Sequence, residues 1–541
     1  MPEQQAHSTR FVRRAVLTGT IAAGVLLAAA CAPDAPPIQR SSGTPASAAD
    51  GSSPAAGVPA PVGSGGASPA VADASALARG GRRPDVLLIS LDTLRADALG
   101  CYGNTRPTSP TIDGLAERGV RFARCYAPAP HTAPSHVSLL SGLLPLAHGV
   151  PNASAESQRL AQLNENWPTL TELLAGDGYQ TMFVCNGGQL RREMGIERAV
   201  EQFDSSTRTF AAAIEVVDSM LGDVAPDEPL FSFVHTYETH APYLPPRRMN
   251  GAPLHGRFTD REYRGVLRRT YDKLIGRIDE GAGLAAEFLA GSEAFTAPDI
   301  EFLVGLYHEE VLWTDSQLLR LLEVWSSRRD ISNTVVVIVS DHGEQLGERG
   351  AFGHRFGLDV ELVHVPLIAF GPGIEPRVED GVVSLASVAA AILEHVDAAV
   401  PEHLQRGARL ARGSAPSAVA HLQDASGKNA SVGVVDGALQ YLRGMSGNRS
   451  PRETVLDLAL DPRGSVAVKA SAADLERLRV LVGERIRIDQ GMRTRYPVVL
   501  DDVPTRGQKE LLRDLGYSEE GPADEPPPDE SNSGRGGDRE R

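Results

Sequence analysis

Apolar residues fall into short continuous runs separated by amphipathic stretches. The run at 86–91 (VLLISL) combines β-branched and leucine side chains, a composition typical of a strand buried on both faces. Similar runs occupy 181–185, 230–234, 334–339 and 366–370, and helical patterns lie between them at 110–118, 169–175 and 302–328. This alternation predicts an α/β fold in which helices sandwich a mostly parallel sheet.

The pattern changes near residue 400. Shorter alternating stretches follow at 418–422, 431–435 and 438–442, and a helical pattern covers 472–489. We therefore predict a main α/β domain over 83–400 and a smaller α+β subdomain over 401–518. Residues 32–82 are dominated by Ala, Pro, Ser and Gly, and 519–541 are acidic and rich in Pro and Gly. Neither segment has enough large apolar side chains to offset its ordering entropy, so both are predicted to be disordered.

The first 31 residues have the pattern of an export signal. Arg10, Arg13 and Arg14 precede an apolar stretch over 15–30 that ends at Cys31. This stretch is short for a membrane span. Residues 28–31 (AAAC) resemble a bacterial lipoprotein box, and the arginine pair resembles a twin-arginine signal. We expect an exported protein, periplasmic or at the cell surface, and two alternatives stay open for the signal: simple cleavage, or a lipid anchor at Cys31.

The other cysteines are Cys101, Cys125 and Cys185. Their irregular spacing gives neither a disulfide framework nor a zinc-binding pair. A Cys101–Cys125 disulfide and small buried thiols both remain open, and the pattern favours thiols.

Composition limits the partners. The chain has 541 residues, of which 42% are hydrophobic, and a formal net charge of -16. This balance supports a substantial core and argues against nucleic acid as the main partner. It does not exclude an anionic substrate, because a bound metal can invert the local field.

Polar side chains follow several predicted strands. Asp92 comes after the first run, and Asp341 and His342 come after the run at 334–339. His240 lies beyond the run at 230–234, and His354 lies in the loop after His342. In a parallel sheet, ligands bind beyond the carboxyl ends of the strands. The sequence therefore predicts a mixed oxygen and nitrogen metal site at this edge. Glu344 is expected to brace the same loop.

Thr132 stands before Ala-Pro-Ser-His and the apolar run 137–144. The start of a buried helix favours a negatively charged oxygen, so a hydroxyl there is a candidate nucleophile. The alternative is an ordinary helix N-cap. The neighbouring metal-ligand residues favour the nucleophile. His136 and Asn186 are weaker candidates for contacts with substrate oxygens.

These motifs together resemble the sulfatase family of the alkaline phosphatase superfamily. The similarity extends over roughly 84–517 and includes 85–103, 108–113, 119–122, 132–142, 340–344 and 365–368. The resemblance implies the sulfatase-like α/β/α sandwich, with Asp92, Asp341 and His342 as metal ligands. It implies that Thr132 is the nucleophile and also touches the metal. His240 would then face the substrate, and His354 would contact the ester or bind a second metal.

The chain departs from the family pattern at the nucleophile. Sulfatases carry a Cys or Ser that is converted to formylglycine, and Thr132 cannot become that aldehyde, so no formylglycine is expected. His136 replaces the arginine that closes the motif, and Thr93 replaces an aspartate of the metal loop. Imidazole in place of oxygen ligands shifts the expected divalent metal from Ca²⁺ or Mg²⁺ toward Zn²⁺ or Mn²⁺.

The sequence favours an exported, metal-dependent hydrolase of phosphate or sulfate esters. Phosphoryl chemistry through a covalent Thr132 intermediate is favoured, and the partner is an anionic ester. Two alternatives stay open. One is a transferase of lipid or glycan phospho-headgroups, although such relatives usually carry several membrane helices. The other is a catalytically degenerate lipoprotein that only binds metal.

Overall fold

The fully buried run at the first predicted strand forms the middle of a large sheet. The computed structural model describes residues 82–514 except 155–156, 158, 276, 278–283, 355–356, 406, 412–418, 425–429, 446–451 and 501–502. The export signal at 1–31, the linker at 32–82 save its last residue, and the acidic tail at 519–541 lie outside the described residues. The described residues all belong to one unit, Val71–Arg541.

The strands of the described chain are β1 (Asp85–Leu91), β2 (Val120–Tyr126), β3 (Ala161–Gln162), β4 (Gln180–Val184), β5 (Gln202–Asp204), β6 (Leu230–Thr236), β7 (Arg248–Met249), β8 (Ala252–Pro253), β9 (Thr334–Val339), β10 (Gln345–Leu346), β11 (Phe352–Gly353), β12 (His364–Val365), β13 (Leu367–Phe370), β14 (Arg377–Ser384), β15 (Val419–Asp424), β16 (Ser431–Asp436), β17 (Leu439–Gly444), β18 (Glu453–Asp457) and β19 (Val499–Leu500).

The α-helices of the same residues are α1 (Pro110–Ala116), α2 (Thr132–Ser141), α3 (Pro145–His148), α4 (Leu170–Gly176), α5 (Phe210–Leu221), α6 (Val266–Leu274), α7 (Leu284–Phe288), α8 (Ala297–Arg328), α9 (Val360–Val363), α10 (Val388–His395), α11 (Ala472–Arg495) and α12 (Arg506–Asp514). In the part of the chain that is described, no helix combines the length and apolar character needed to cross a membrane.

The central sheet pairs its strands in the order β5–β4–β6–β1–β9–β13–β2, and β12 and β14 also pair with β2. β1 runs parallel to β6 on one side and to β9 on the other. β13 is antiparallel to both β9 and β2. The sheet is therefore parallel through its centre and mixed overall, because β13 runs antiparallel to both of its neighbours.

Alternate residues of β1 face two different cores, as the two-residue period of a strand requires. Val86 and Leu88 pack with α2, α4 and α10, whereas Leu87 and Ile89 pack with α5, α6 and α8. The predicted sandwich of helices around a sheet is confirmed. The predicted strands correspond to β1, β4, β6, β9 and β13.

The C-terminal residues form a separate four-stranded antiparallel sheet, β15–β16–β17–β18. Helix α11 packs on this sheet through Leu478 and Val482. The alternating stretches beyond residue 400 thus form strands, in agreement with their two-residue period. The boundary at residue 400 stays a prediction.

All three cysteines within the described residues are free. Burial raises the pKa of the Cys101 thiol to about 12 and also raises that of Cys125. The Cys101–Cys125 disulfide, one of the two alternatives, is not formed in this structure.

Candidate functional site

Helix α2 begins at Thr132, and its N-cap is His131. Thr132 is therefore the first helical residue, and its interpretation as an N-cap is wrong. Its hydroxyl lies 3.4 Å from Asp92 Oδ2 and 3.3 Å from His342 Nε2. The Ala133 N–H donates to Asn152 Oδ1, and Pro134 has no N–H, so neither can bind an anion. The helix end acts on Thr132 mainly through its dipole.

Three of the predicted metal ligands meet beside this hydroxyl. Asp92 follows β1, and Asp341 and His342 follow β9, so the parallel pairing of these strands brings the three residues together. Their ligand atoms lie within 4.8 Å of one another, and all three side chains are fully buried. His342 Nε2 is 3.4 Å from Asp341 Oδ2. We call Asp92, Asp341 and His342 the first ligand group.

The first ligand group has the properties of a cation site. Asp92 Oδ1 and both carboxylate oxygens of Asp341 are buried and accept no hydrogen bond. Burial raises the pKa of both carboxyls, and repulsion by Asp341 raises that of Asp92 further. His342 Nδ1 donates to the Gly343 carbonyl at 2.9 Å, which leaves Nε2 as the ligand atom. Burial lowers the His342 pKa to about 3, keeping the ring neutral. This donor set fits a divalent metal.

A second ligand group consists of His240, Glu344 and His354, whose ligand atoms also lie within 4.8 Å of one another. His240 Nε2 is 3.0 Å from His354 Nε2, and His240 Nδ1 donates to the Ala241 carbonyl at 2.7 Å. The ring centroids of His342 and His354 are 4.3 Å apart, so the two ligand groups are neighbours. Burial raises the pKa of Glu344 to about 8 and lowers that of His240 to about 4.

Glu344 braces its loop as the sequence predicts, because its carboxylate accepts the Tyr243 hydroxyl hydrogen. It also belongs to the second ligand group, a position that the sequence pattern does not predict. The structure thus brings all six predicted site residues together at one edge of the sheet. They are Thr132, Asp92, Asp341, His342, His240 and His354.

Two further histidines contact residues of the site, His235 at Asp92 and His136 at Thr132. His235, in β6, places its Nε2 3.2 Å from Asp92 Oδ2. His136 donates from Nδ1 to the Thr132 carbonyl at 2.8 Å, and its Nε2 accepts from Ser90 Oγ at 2.9 Å. Only the contact between His136 and Thr132 could be expected from the sequence, because residues four positions apart lie on the same face of a helix.

The structure gives both weaker candidates for substrate contact hydrogen bonds within the protein. His136 is fully buried with both ring nitrogens engaged. Asn186 accepts from the Tyr237 N–H at 3.1 Å and donates to Thr207 Oγ1 at 2.9 Å, so its amide holds the loop after β6.

Thr93 joins the two loops that carry Asp92 and His240. Its φ is 54°, in the left-handed region, and its hydroxyl donates to the Thr239 carbonyl at 2.8 Å. The Thr239 hydroxyl in turn donates to the Asp92 carbonyl. A threonine therefore makes a structural link at the position where the family pattern has an aspartate.

Comparisons with known proteins agree with this architecture. The profile of the Sulfatase family matches residues 84–398. The delta 4,5-hexuronate-2-O-sulfatase of Bacteroides thetaiotaomicron is 25% identical over 318 residues, which are 56% of this chain and 65% of that protein. The match thus spans less than two thirds of that relative's length.

Solved structures show the same fold. A 2-O GAG sulfatase has a TM-score of 0.60 at 19% identity, with 78% of this chain and 95% of that one covered. The phosphonate monoester hydrolase of Agrobacterium radiobacter has a TM-score of 0.57 at 18% identity, with 77% and 96% covered. Because the family profile covers more than half of the chain and includes Thr132 and both ligand groups, the protein belongs to the sulfatase family of the alkaline phosphatase superfamily.

Proposed function

We propose that this protein is an exported, metal-dependent ester hydrolase that cleaves phosphate esters through a covalent Thr132 intermediate. The observation that carries the proposal is the position of the Thr132 hydroxyl, 3.4 Å from Asp92 Oδ2 and 3.3 Å from His342 Nε2. A hydroxyl at this place can share a cation with the first ligand group and attack an ester bound beside it.

The first ligand group and Thr132 would hold a divalent cation, which lowers the pKa of the hydroxyl when it is bound. Carboxylate, imidazole and hydroxyl donors suit Zn²⁺ or Mn²⁺ better than Ca²⁺ or Mg²⁺. The buried carboxylate oxygens without hydrogen bonds support a cation at this position.

The chain's own groups account for the reaction in two steps. The Thr132 hydroxyl releases its proton to solvent and attacks phosphorus, so that an Oγ1–P bond forms as the ester P–O bond breaks, and the departing oxygen takes up a proton from solvent. Water then attacks the phospho-threonine, which breaks the Oγ1–P bond and restores the hydroxyl. The α2 dipole favours the anionic form of Thr132 in both steps.

His240 and His354 face the same space. They could hydrogen-bond the ester oxygens and protonate the departing group, or hold a second cation together with Glu344. The second role is favoured because the Glu344 carboxylate lies within 4.8 Å of a ligand nitrogen of each imidazole, and His240 Nε2 carries a lone pair, since His240 Nδ1 donates to a carbonyl. A cation shared with the Glu344 carboxylate satisfies this arrangement. Two metal ions per chain are then expected by elemental analysis, and one after His240→Ala.

Sulfate esters are the main competing substrates, because the relative described above is a sulfatase. A threonine cannot supply the formylglycine hydrate on which sulfate hydrolysis relies in the family, and this favours phosphate. Export and a lipid anchor at Cys31 belong to the same proposal and rest on the N-terminal sequence pattern alone. Transfer to a headgroup acceptor instead of water is the second candidate for the reaction.

The test uses the full chain loaded with Zn²⁺ or Mn²⁺ and compares an aryl phosphate monoester, an aryl phosphate diester and an aryl sulfate. Thr132→Ala is compared with Ser141→Ala, which removes a hydroxyl from the same helix at its bond to the Val137 carbonyl. We expect phosphate ester turnover that Thr132→Ala abolishes and Ser141→Ala retains. Faster turnover of the aryl sulfate than of either phosphate ester would contradict the proposed preference for phosphate. Metal-loaded protein that turns over none of the three esters would favour a protein that only binds metal.

A further inference from the structure

One part of the surface has a charge opposite to that of the whole chain. Residues 247–277, which contain β7, β8 and α6, have nine Arg or Lys and three Asp or Glu, whereas the chain has a formal net charge of -16. Most of these cations are exposed, and Arg264 lies 3.5 Å from the exposed Glu262. Four other exposed arginines form an ion pair with no carboxylate of the described residues. They are Arg248, Arg257, Arg261 and Arg269.

The arginines of this segment follow one another across the surface. Arg261 donates from Nε to the Gly256 carbonyl at 3.1 Å, beside Arg257. Arg264 donates to the Arg261 carbonyl at 2.6 Å, and Arg269 donates to the Arg264 carbonyl at 3.0 Å. A guanidinium has five N–H donors, so these contacts leave donors for an external anion. We call Arg257, Arg261, Arg264 and Arg269 the arginine surface.

The same chain contains an acidic segment of matching charge. Residues 519–530 have six Asp or Glu and no Arg or Lys. Helix α12 ends at Asp514, five residues before the first of these carboxylates. α12 packs against α7, and α7 packs against α6, the helix that carries Arg269. The chain therefore leaves the described residues two helices away from the arginine surface.

The residues that follow α12 can cover this distance. Neighbouring helix axes lie about 8–10 Å apart, so α12 and α6 are separated by at most about 20 Å. At about 3.4 Å per extended residue, Glu519 can lie up to about 17 Å and Glu530 up to about 55 Å from Asp514. A segment tethered this closely has a high effective concentration, so contacts that are individually weak are sufficient to hold it.

We infer that the acidic segment 519–530 docks on the arginine surface of its own chain. Arginine suits this partner because its planar guanidinium can bind a carboxylate through two parallel hydrogen bonds. The pairs are exposed, so salt weakens them and releases the segment. The docked segment covers the arginine surface, and other polyanions bind there only after its release. The inference is independent of the proposed function, because no residue of the two ligand groups takes part.

Zero-length cross-linking of the full chain tests this contact. A carbodiimide joins a lysine amine to a carboxylate in contact with it, and Lys273 is an exposed amine on α6, four residues from Arg269. The chain is treated at low salt and digested with trypsin, and the linked peptides are identified by mass spectrometry. We expect Lys273 to be joined to a carboxylate of 519–530, and no such link at Lys469, an exposed amine that precedes α11. The Lys273 link should be lost at about 1 M salt, where the Debye length is about 3 Å.

A triple variant removes arginines of the surface and keeps the reporting amine. It should lower the yield of the link at least about fivefold, because several exposed ion pairs are lost together. Its changes are Arg257→Ala, Arg261→Ala and Arg269→Ala. The matched control should keep the yield, since it removes three exposed arginines elsewhere by Arg463→Ala, Arg487→Ala and Arg495→Ala. The link between Lys273 and Glu287, which form an ion pair, is the internal standard for both variants.

Three results would overturn the inference. The first is no link between Lys273 and 519–530 at low salt, and the second is a link that persists at high salt or in the triple variant. The third is sedimentation of the unmodified chain with phosphatidylglycerol vesicles that the triple variant loses, because this would assign the arginine surface to lipid headgroups. The salt comparison uses the unmodified chain, so it decides the matter even if the triple variant does not fold.

Discussion

His235 Nε2 lies 3.2 Å from Asp92 Oδ2, and the other oxygen of that carboxylate accepts no hydrogen bond. The imidazole therefore occupies one oxygen and leaves Oδ1 available for a cation. Outer partners of this kind typically contribute a factor of about 10–100 to metal affinity. We expect His235→Ala to weaken metal binding by about that factor, measured by competition with a chelating dye.

His235→Gln provides the matched control, because its amide can still donate to Asp92. It should recover part of the lost affinity. Equal metal affinity in the unmodified protein and in His235→Ala would show that Asp92 needs no orienting partner.

His136 links Thr132 to Ser90 through hydrogen bonds at 2.8 and 2.9 Å. His136→Phe should fold, since Phe233 already packs against the ring at 5.8 Å between centroids. It leaves the Ser90 hydroxyl and the Thr132 carbonyl without these partners, which should lower the free energy of unfolding by about 1–3 kcal/mol. Urea denaturation measures this change, and turnover should fall because the first residue of α2 is less firmly held. An unfolding free energy equal to that of the unmodified protein would contradict this role.

Glu344 should make the metal-free protein less stable as the pH rises. Burial raises its pKa to about 8 from the ordinary value of 4.5, so the folded state binds the proton more tightly than the unfolded state. The contribution of this proton is complete below about pH 4.5 and is lost progressively up to about pH 8, by at most about 1.4 kcal/mol per pH unit. Glu344→Gln keeps a neutral side chain throughout.

The melting temperatures of Glu344→Gln and the unmodified protein are compared without metal. Between pH 5 and pH 8, the melting temperature of the variant should rise progressively relative to that of the unmodified protein, because Glu344 loses its stabilising proton over this range. A difference that stays constant with pH would mean that the carboxyl ionises normally.

Metal removal should destabilise the fold. Asp92 and Asp341 are fully buried, and repulsion between them raises the pKa of Asp92, so a bound cation offsets an unfavourable contact. A cation at 100 times its Kd adds about 2.7 kcal/mol of stability. Chelation should lower the melting temperature, and Zn²⁺ or Mn²⁺ should restore it more effectively than Ca²⁺. Equal recovery with Ca²⁺ would contradict the assignment of the donor set.

The sequence predicts the centre of the fold well because the central strands are buried on both faces. β9 begins and ends where its apolar run does, at Thr334 and Val339. β2 was not predicted, since Arg121 and Arg124 interrupt its apolar residues at half-buried positions. The antiparallel β13 was predicted as a strand but not in its direction, which depends on how the chain returns after β9.

Glu344 was predicted to brace its loop and not to belong to a ligand group. Asp92, Asp341, His342 and His240 were predictable because they follow central strands whose carboxyl ends share one edge of the sheet. His235 was not, because it lies within β6, where the side a residue faces depends on the exact register of the strand. The contact of Asp424 with the Gly357 N–H has no signal in the sequence. It depends on how the C-terminal sheet packs against the loop that carries Gly357.

The covalent role of Thr132 is tested most directly by trapping the intermediate. The metal-loaded protein is mixed with an aryl phosphate ester, quenched in acid and digested with trypsin, and the peptide 125–159 is analysed by mass spectrometry. We expect one phosphoryl group on Thr132, absent in Thr132→Ala, which should also lose turnover. Turnover that persists in Thr132→Ala, or a phosphoryl group found on another residue, would contradict the role of Thr132 as the nucleophile.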